Sequence, residues 1–300
     1  MKRDFLTLRD LSADELTAVL KRAAELKAGK DASACPLIGK SIGMLFEKAS
    51  TRTRLSFQVG IYQLGAQTIY LNPNEIQFGR GETIEDTARV LSRYLNGFIL
   101  RTFAHKTIEA FARSAAIPVI NGLTDLHHPC QALADLMTIK EEKGGFKGVH
   151  LVYIGDGNNV ANSLIEAASM TGMQITIACP KGYEPDKAIL KKAVSEGTNA
   201  RIINDPKKAV KGADVLYTDV WVSMGQEKEV AKRKKIFKSY QINKTLLSLA
   251  KPDAIVMHCL PAHKGEEITA DVFESSQSVV FEQAENRLHA QKALLEMLIR

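Results

Sequence analysis

The stretch Ser50-Thr51-Arg52-Thr53-Arg54 lies between an apolar run at 41–46 and a helical pattern that continues to residue 64. The apolar run predicts a buried strand, and Ser50 or Thr51 is a suitable N-cap for the helix. Two arginines in a first turn oppose the positive end of the helix dipole, so a bound anion would compensate them. Hydroxyls, free backbone N–H groups and two guanidinium groups together suit a phosphate. The stretch therefore predicts a strand, an anion site and a helix; the alternative is an exposed turn whose arginines pair with carboxylates.

Short apolar runs alternate with helical segments along the whole chain. The predicted strands are 41–46, 67–71, 97–101, 117–121, 149–154, 174–178, 200–204, 214–218, 254–258 and 279–281. The predicted helices of the first half are 12–28, 51–64, 83–93, 106–114 and 130–142. This alternation predicts an α/β fold with two domains, each with a mainly parallel sheet flanked by helices. The glycine-rich stretch 144–148 is the predicted boundary.

The composition is that of a globular protein, with 45% hydrophobic and 25% charged residues among 300. The net charge of +6 is spread out and suits an anionic small molecule better than nucleic acid. We interpret the densest basic run, 232–235, as a solvated helix face. The four cysteines lie far apart, so neither a disulfide framework nor a structural zinc site is predicted. The N-terminus lacks the apolar core of a signal peptide, and no run of about 18 apolar residues occurs, which predicts a cytoplasmic protein without a membrane partner.

Polar residues follow the predicted strands, where open parallel sheets bind their ligands. Strand 97–101 ends at Arg101, a second cation near the anion site. After the next strand, His128 and Gln131 are three residues apart at a helix start, with Pro129 at the first helical position. The two side chains are expected to face the same way and to polarise an oxygen together. The alternative is an ordinary polar loop.

The second half contains Gly155-Asp156-Gly157-Asn158-Asn159-Val160, which follows a predicted strand and opens a helix. This is an incomplete dinucleotide fingerprint, because Val160 occupies the third glycine position and the next strand ends at Cys179 rather than at a carboxylate. An NAD-dependent dehydrogenase is therefore a weak alternative. The amides of Asn158 and Asn159 instead suit an α-carboxylate or an α-amine.

Two further polar groups follow later strands. Asp219 comes directly after strand 214–218 and precedes Ser223-Met224-Gly225, a combination suited to an ammonium group beneath a loop. Cys259 comes directly after strand 254–258, where a side chain is expected to reach the ligand crevice. The alternatives are a capped loop and a buried structural cysteine.

His258, Cys259 and His263 form a weak candidate metal site, because no fourth ligand lies at nearby spacing. Arg287 is predicted to lie at a helix start, which repeats the electrostatic problem of Ser50–Arg54.

Together these motifs resemble those of an ornithine carbamoyltransferase, within the aspartate/ornithine carbamoyltransferase superfamily. The resemblance spans nearly the whole chain and is carried by Ser50–Arg54, His128-Pro129-Cys130-Gln131, Asp219 with Ser223-Met224-Gly225, and His258-Cys259-Leu260-Pro261. Aspartate carbamoyltransferases share the first two motifs, lack the Ser-Met-Gly loop and carry a Pro-Leu-Pro-type segment in place of 259–261. Ala49 is a minor departure from related chains.

The resemblance implies transfer of the carbamoyl group of carbamoyl phosphate to the δ-amine of L-ornithine, giving L-citrulline and phosphate. It implies that residues 1–145, joined by a C-terminal helix at about 284–300, bind carbamoyl phosphate and that residues 146–283 bind ornithine. It also implies a homotrimer or an assembly of trimers with active sites at subunit interfaces. Arginine biosynthesis is the implied role, although the same site serves the catabolic direction, and neither a metal nor a cofactor is implied.

The resemblance also assigns individual residues. Carbamoyl phosphate would be bound by Ser50, Thr51, Arg52, Thr53, Gln77, Arg101, His128, Gln131, Cys259, Leu260 and Arg287. Ornithine would be held by Asn159, Asp219, Ser223 and Met224, and the catalytic residues would be Cys259, Arg101 and His128. Gln77 matches a position that reaches into a neighbouring subunit's site. Putrescine or an N-acylated ornithine remains an alternative amine, and a non-catalytic regulator built on the same fold remains an alternative class.

Overall fold

A computed structural model of the protein describes residues 2–30, 34–73, 81–222 and 229–299. The chain divides into two compact units, one of Met1–Met137 with Glu285–Arg300 and one of Thr138–Ala284. Each unit contains a parallel sheet with helices around it, so the predicted α/β class is confirmed.

The sheet of the first unit consists of β1 (Ser41–Phe46), β2 (Gln67–Leu71), β3 (Gly97–Arg101) and β4 (Val119–Leu123). The helices are α1 (Ala13–Lys27), α2 (Thr51–Gln63), α3 (Ile84–Leu91), α4 (His105–Ser114) and α5 (Pro129–Lys143), in which the division between the units falls. The strand order is β2-β1-β3-β4, and all neighbours are parallel. The chain moves outward in opposite directions from β1 and β3, so the segments after these two strands border a ligand crevice.

The sheet of the second unit consists of β5 (His150–Ile154), β6 (Gln174–Ala178), β7 (Ala200–Ile202), β8 (Val215–Thr218) and β9 (Ile255–His258). The helices are α6 (Asn159–Thr171), α7 (Lys187–Ser195), α8 (Pro206–Ala209), α9 (Val230–Phe237), α10 (Lys244–Leu247), α11 (Ala270–Phe273) and α12 (Val280–Leu298), in which the second division falls. The order is β7-β6-β5-β8-β9, again parallel throughout. The segments after β5 and β8 therefore border the second crevice.

Helix α2 has two apolar stripes, of which one is buried and the other is exposed. Phe57 and Ile61 are fully buried in the first unit. Leu55, Val59 and Tyr62, at helical spacing on another face, are 53%, 40% and 80% exposed. The apolar residues of this helix are therefore only partly used in packing within the chain, and an apolar stripe of large side chains remains at the surface.

The predicted strand at 279–281 is wrong. Ser278 forms an isolated parallel bridge with Val256 of β9, and α12 begins two residues later at Val280. A short apolar run of this kind can belong to a strand or to the first turn of a helix, and periodicity alone does not distinguish them.

Candidate active site

The anion site predicted after β1 has the expected local geometry. The Ser50 hydroxyl accepts a hydrogen bond from the Thr53 backbone N–H at 3.2 Å and caps α2. Ser50 itself is extended, so the chain turns directly from the strand end into the helix. The remaining first-turn N–H groups and the helix dipole then favour an anion at this point.

Two buried groups lie near this helix start. Arg101, the last residue of β3, is 8% exposed and lies in register with Phe46 of β1. Burial lowers the pKa of His128 well below its ordinary value, and the positive charges of Arg287, Arg101 and Arg52 lower it further. His128 is therefore neutral at pH 7, and it can donate a hydrogen bond without adding to the charge of three neighbouring guanidinium groups.

Arg287 joins the start of α2 to the start of α5. Its Nη1 donates to the Oε1 of Gln131 at 2.6 Å, and its Nη2 donates to the Thr53 hydroxyl at 3.2 Å. The Nε2 of Gln131 in turn donates to Asp135 at 2.8 Å. The structure thus brings together three residues that the sequence places far apart, and it adds Asp135, which the sequence analysis missed.

The predicted position of Arg287 at a helix start is wrong. Helix α12 begins at Val280, so Arg287 lies about two turns inside it. Its charge is therefore not opposed by the helix dipole, and the hydrogen bonds to Gln131 and Thr53 account for its burial.

The two arginines of the opening stretch have different surroundings. Arg52 is half-buried, and its charge helps to lower the pKa of His128. The Arg54 guanidinium instead stacks on the ring of Tyr70, at 3.8 Å from the ring centroid. Arg54 also borders a cavity of about 420 Å³ lined by Phe46, Ala49, Ser50, Thr51, Leu55, Gln58 and Tyr70. Of the two arginines, Arg52 is therefore the one whose charge is felt by the buried His128.

In the second unit, polar groups from three strand ends meet at Asp219. Its Oδ1 accepts from the Val220 backbone N–H at 2.8 Å and from the Cys259 thiol at 3.0 Å. Its Oδ2 accepts from the Asn158 amide at 2.8 Å. In this arrangement the Cys259 thiol serves Asp219 as a hydrogen-bond donor.

Asn158 has a structural task that the sequence analysis did not assign to it. Its side-chain oxygen caps α6 by accepting from Val160 N and Ala161 N, at 2.9 and 3.3 Å, and also accepts from the Tyr153 hydroxyl at 3.1 Å. Its amide nitrogen donates to Asp219. The oxygen and one N–H of the Asn158 amide are thus used within the protein, and the assignment of Asn158 and Asn159, the first residue of α6, to a substrate α-carboxylate or α-amine stays a prediction.

The segment that carries Cys259 and Leu260 is held by the fully buried Glu267. Its Oε1 pairs with His258 Nε2 at 3.0 Å and accepts from the His263 backbone N–H at 2.5 Å. His258 Nδ1 accepts from the Leu260 N–H at 2.8 Å, so Nε2 carries the imidazole proton. Leu260 has a φ of 58°, an uncommon conformation for this residue type, and these bonds fix it. Glu267 was missed because one member of an acidic pair in sequence gives no sign of burial.

Asp219, His258 and Cys259 have ligand atoms within 4.8 Å of one another, a spacing compatible with a metal ion. Both ring nitrogens of His258 and the Cys259 thiol already make hydrogen bonds within the protein. These bonds satisfy the three side chains without a cation.

The basic run 232–235 is only in part a solvated face, because Arg233 is 6% exposed. Its Nη1 donates to Asp156 at 2.7 Å and to the Trp221 carbonyl at 3.0 Å. Arg233 therefore ties the segment after β5 to the segment after β8. The prediction failed for this residue because charge alone does not show which member of a run finds a buried partner.

Gly157 is explained by packing within the chain rather than by a nucleotide. A Cβ atom built on Gly157 would lie 2.2 Å from Pro185 N, and the Gly157 N–H donates to the Tyr183 carbonyl at 2.9 Å. In a dinucleotide fingerprint, a glycine at this position lets the pyrophosphate approach the backbone. Here residues 183–185 occupy the space beside Gly157. This geometry disfavours the dehydrogenase alternative.

Three residues assigned by the resemblance, Gln77, Ser223 and Met224, lie outside the described residues. Within the described ranges, the helices are all too short or too polar to cross a bilayer.

Comparison with known proteins identifies the class. Residues 3–141 match the carbamoyl-P binding domain of the aspartate/ornithine carbamoyltransferases, and residues 147–298 match the Asp/Orn binding domain. The chain belongs to the aspartate/ornithine carbamoyltransferase family, and the resemblance seen in its motifs is confirmed.

Three similar members of that family are ornithine carbamoyltransferases. The chain is 55% identical to the ornithine carbamoyltransferase of Syntrophus aciditrophicus across 100% of both chains. The solved ornithine carbamoyltransferase of Pyrococcus furiosus is 52% identical with a TM-score of 0.95, covering 99% of this chain and 97% of that one. The anabolic ornithine carbamoyltransferase of Campylobacter jejuni is 41% identical with a TM-score of 0.94, covering 99% of each chain.

Proposed function

We propose that this protein transfers the carbamoyl group of carbamoyl phosphate to the δ-amine of L-ornithine, giving L-citrulline and phosphate. The observation that carries this proposal is full-length identity above 50% to relatives of that name. In the reaction, a neutral amine attacks the carbonyl carbon, a C–N bond forms, the C–O bond to phosphate breaks, and the amine releases a proton. Negative charge grows on the carbonyl oxygen and on the leaving phosphate.

We assign carbamoyl phosphate to the groups of the first unit. Ser50, Thr51, Arg52 and Thr53 bind the phosphate, with Gln131 and Arg287 beside them and Gln77 supplied by a neighbouring subunit. The capped start of α2 supports this assignment, because it offers N–H donors and the positive end of a dipole to a dianion. The hydrogen bonds from Arg287 to Gln131 and Thr53 hold these side chains in place before the ligand arrives.

Arg101 and His128 polarise the carbonyl oxygen in this proposal. Both are buried, so their interactions are weakly screened and need little rearrangement as charge develops. A neutral His128 acts as a hydrogen-bond donor while the guanidinium groups supply the charge. Removing one such donor commonly costs about 3–4 kcal/mol of transition-state stabilisation.

We assign ornithine to the second unit, where Asn159, Asp219, Ser223 and Met224 hold the amino-acid head. Cys259, the third proposed catalytic residue, and Leu260 also bind carbamoyl phosphate in this proposal and line the space where the two substrates meet. Asp219 supports this assignment, because a buried carboxylate held by three donors is ready to accept from an ammonium group. Putrescine has no α-amino acid head, and an N-acylated ornithine has no α-ammonium group. Both alternative amines therefore use Asp219 less well.

A steady-state citrulline assay tests the reaction and the substrate together. The amines compared are L-ornithine, putrescine, an N-acylated ornithine and L-aspartate, each with saturating carbamoyl phosphate. We expect kcat/KM for ornithine to exceed the others by at least about a hundredfold. Putrescine and an N-acylated ornithine lose the charged pair between the α-ammonium group and Asp219, and L-aspartate has the head group but no δ-amine to react. A preference for another amine would refute the substrate assignment, and the absence of carbamoylated product with all four would refute the enzyme class.

We also propose that the protein is a homotrimer, or an assembly of trimers, in the cytoplasm and that it serves arginine biosynthesis. The exposed stripe of Leu55, Val59 and Tyr62 supports a subunit interface on α2, because exposed apolar side chains that line up on one helix face favour association. The anabolic relative from Campylobacter jejuni supports the biosynthetic role. Complementation of an arginine auxotroph by the full-length chain tests that role, and continued auxotrophy with active enzyme present would contradict it.

The oligomeric state has a direct test. Light scattering should give three times the 33.0 kDa chain mass, or a multiple of it. Tyr62→Glu should reduce that mass, because it places a charge within the apolar stripe. Val194→Glu, on an exposed apolar residue of α7, should not reduce it. A monomer for the unaltered protein would refute the trimer.

A further inference from the structure

We infer that Tyr153 and Asn158 are positioning residues that fix the orientation of the Asp219 carboxylate and leave it one open acceptor position for the substrate's ammonium group. This inference rests on the proposed function. It concerns a hydrogen-bonded chain that begins on β5, passes through the cap of α6 and ends at the segments after β8 and β9.

The orientation of the Asn158 amide is determined by the donors around it. Tyr153 OH, Val160 N–H and Ala161 N–H all point at its oxygen, at 3.1, 2.9 and 3.3 Å. With the oxygen fixed by these donors, the NH₂ group must face Asp219. The Tyr153 hydroxyl therefore helps to determine that the nitrogen of the Asn158 amide, and not its oxygen, faces the Asp219 carboxylate.

The acceptor capacity of Asp219 can then be counted. An ionised carboxylate has about four lone-pair positions. Among the described residues, three of these positions receive donors, from Val220, Cys259 and Asn158. One position remains for a substrate N–H, and its direction is set by the other three bonds. A carboxylate held in this way loses little rotational freedom when the substrate binds, which favours affinity.

The replacement Asn158→Asp separates positioning from folding. Aspartate is as good an N-cap as asparagine and can still accept from Tyr153, so α6 should form normally. It cannot donate to Asp219 when ionised, and it places a second negative charge 2.8 Å from that carboxylate. Among the described residues, the other titratable groups near Asp219 are Cys259 and His258 at the end of β9, and Asp156 and Tyr153 on the β5 side.

The test compares Tyr153→Phe, Asn158→Asp and the matched control Tyr240→Phe, whose buried hydroxyl donates to the Asn204 carbonyl instead. We expect kcat/KM for ornithine to fall about threefold to tenfold in Tyr153→Phe and more than about a hundredfold in Asn158→Asp at pH 8. Tyr240→Phe should stay within about twofold of the unaltered protein. KM for carbamoyl phosphate should not change in any of the three variants.

The pH dependence provides a readout that a purely structural role would not change. The loss of kcat/KM for ornithine in Asn158→Asp should shrink between pH 8 and pH 6, because protonating one of two facing carboxyls removes their repulsion and restores a donor.

Thermal unfolding of each variant checks the fold. Unchanged ornithine constants in both variants would overturn the inference, as would equal losses for both substrates together with a large fall in Tm. The unaltered protein is assayed first. If it makes no citrulline, the proposed function is refuted, whereas citrulline formation with unchanged variants refutes only the positioning role of Tyr153 and Asn158.

Discussion

The Arg287 guanidinium donates to the Gln131 side chain at 2.6 Å, although 155 residues separate the two in sequence. A second nitrogen of the same guanidinium reaches Thr53 at 3.2 Å. One side chain thereby couples the starts of α2 and α5, two elements assigned to the carbamoyl phosphate site. Its removal should therefore disturb the site more than the stability of the helix that carries it.

Arg287→Lys should raise KM for carbamoyl phosphate by about tenfold or more, because a single ammonium group cannot reproduce a two-pronged guanidinium. Arg22→Lys is the matched control, since Arg22 makes a similar two-pronged contact with Glu296 in the first unit. Steady-state kinetics with each substrate varied in turn would measure both effects. Equal KM values in the two variants would show that Arg287 does not organise the site.

Arg52→Ala should raise KM for carbamoyl phosphate on the order of a hundredfold, because a charged hydrogen bond to the phosphate is lost. Arg54→Ala removes a cation two residues away whose guanidinium stacks on Tyr70, and it should have a much smaller effect. Thermal unfolding should be nearly unchanged in Arg52→Ala, since an arginine in a first helical turn adds little stability. Near-normal turnover in that variant would contradict the anion site.

The depressed pKa of His128 links its protonation to folding. The folded protein holds His128 neutral while the unfolded chain protonates it below about pH 6.5, so stability falls as pH decreases through that range. This linkage costs up to about 2 kcal/mol between pH 6.5 and pH 5. Urea unfolding at both pH values should show a smaller pH dependence in His128→Gln than in the unaltered protein. An identical dependence in the two proteins would mean that His128 titrates normally in the fold.

Gly157→Ala should lower the free energy of unfolding by about 3 kcal/mol or more, because the new methyl group would overlap backbone atoms of 184–185. Gly122→Ala is a suitable control, since the nearest atom to its added Cβ is 3.4 Å away. Denaturant unfolding measures both variants. If Gly157→Ala were no less stable than Gly122→Ala, the packing explanation of the glycine would be wrong.

Arg233→Ala should cost about 3–5 kcal/mol of stability, because it leaves the buried Asp156 carboxylate without its cation. Burial already raises the pKa of Asp156, and Arg233 opposes that rise. Loss of the arginine should therefore shift the carboxyl further toward its neutral form. Lys235→Ala in the same helix is the control and should change stability by less than about 0.5 kcal/mol. Equal stabilities of the two variants would show that the ion pair is dispensable.

Local patterns in the sequence determined the fold class, most strand positions and the family. The predicted strands 41–46 and 174–178 correspond residue for residue to β1 and β6, because strands covered on both faces are rich in apolar and β-branched residues. The anion site at Ser50–Arg54 could likewise be predicted from the sequence, since its hydroxyls and charges lie within about one helical turn. These features depend on neighbours in sequence, so the sequence by itself contains them.

Only the tertiary structure decided which polar groups contact one another and which of them make hydrogen bonds or ion pairs within the protein. The sequence did not show that the Asn158 amide caps α6 with its oxygen and donates to Asp219 with its nitrogen. Arg233 and Glu267 resembled surface charges until burial and a distant partner were visible. The physical reason is that a hydrogen bond or ion pair depends on distances in space, and chain separation does not reveal which strand ends a parallel sheet brings side by side.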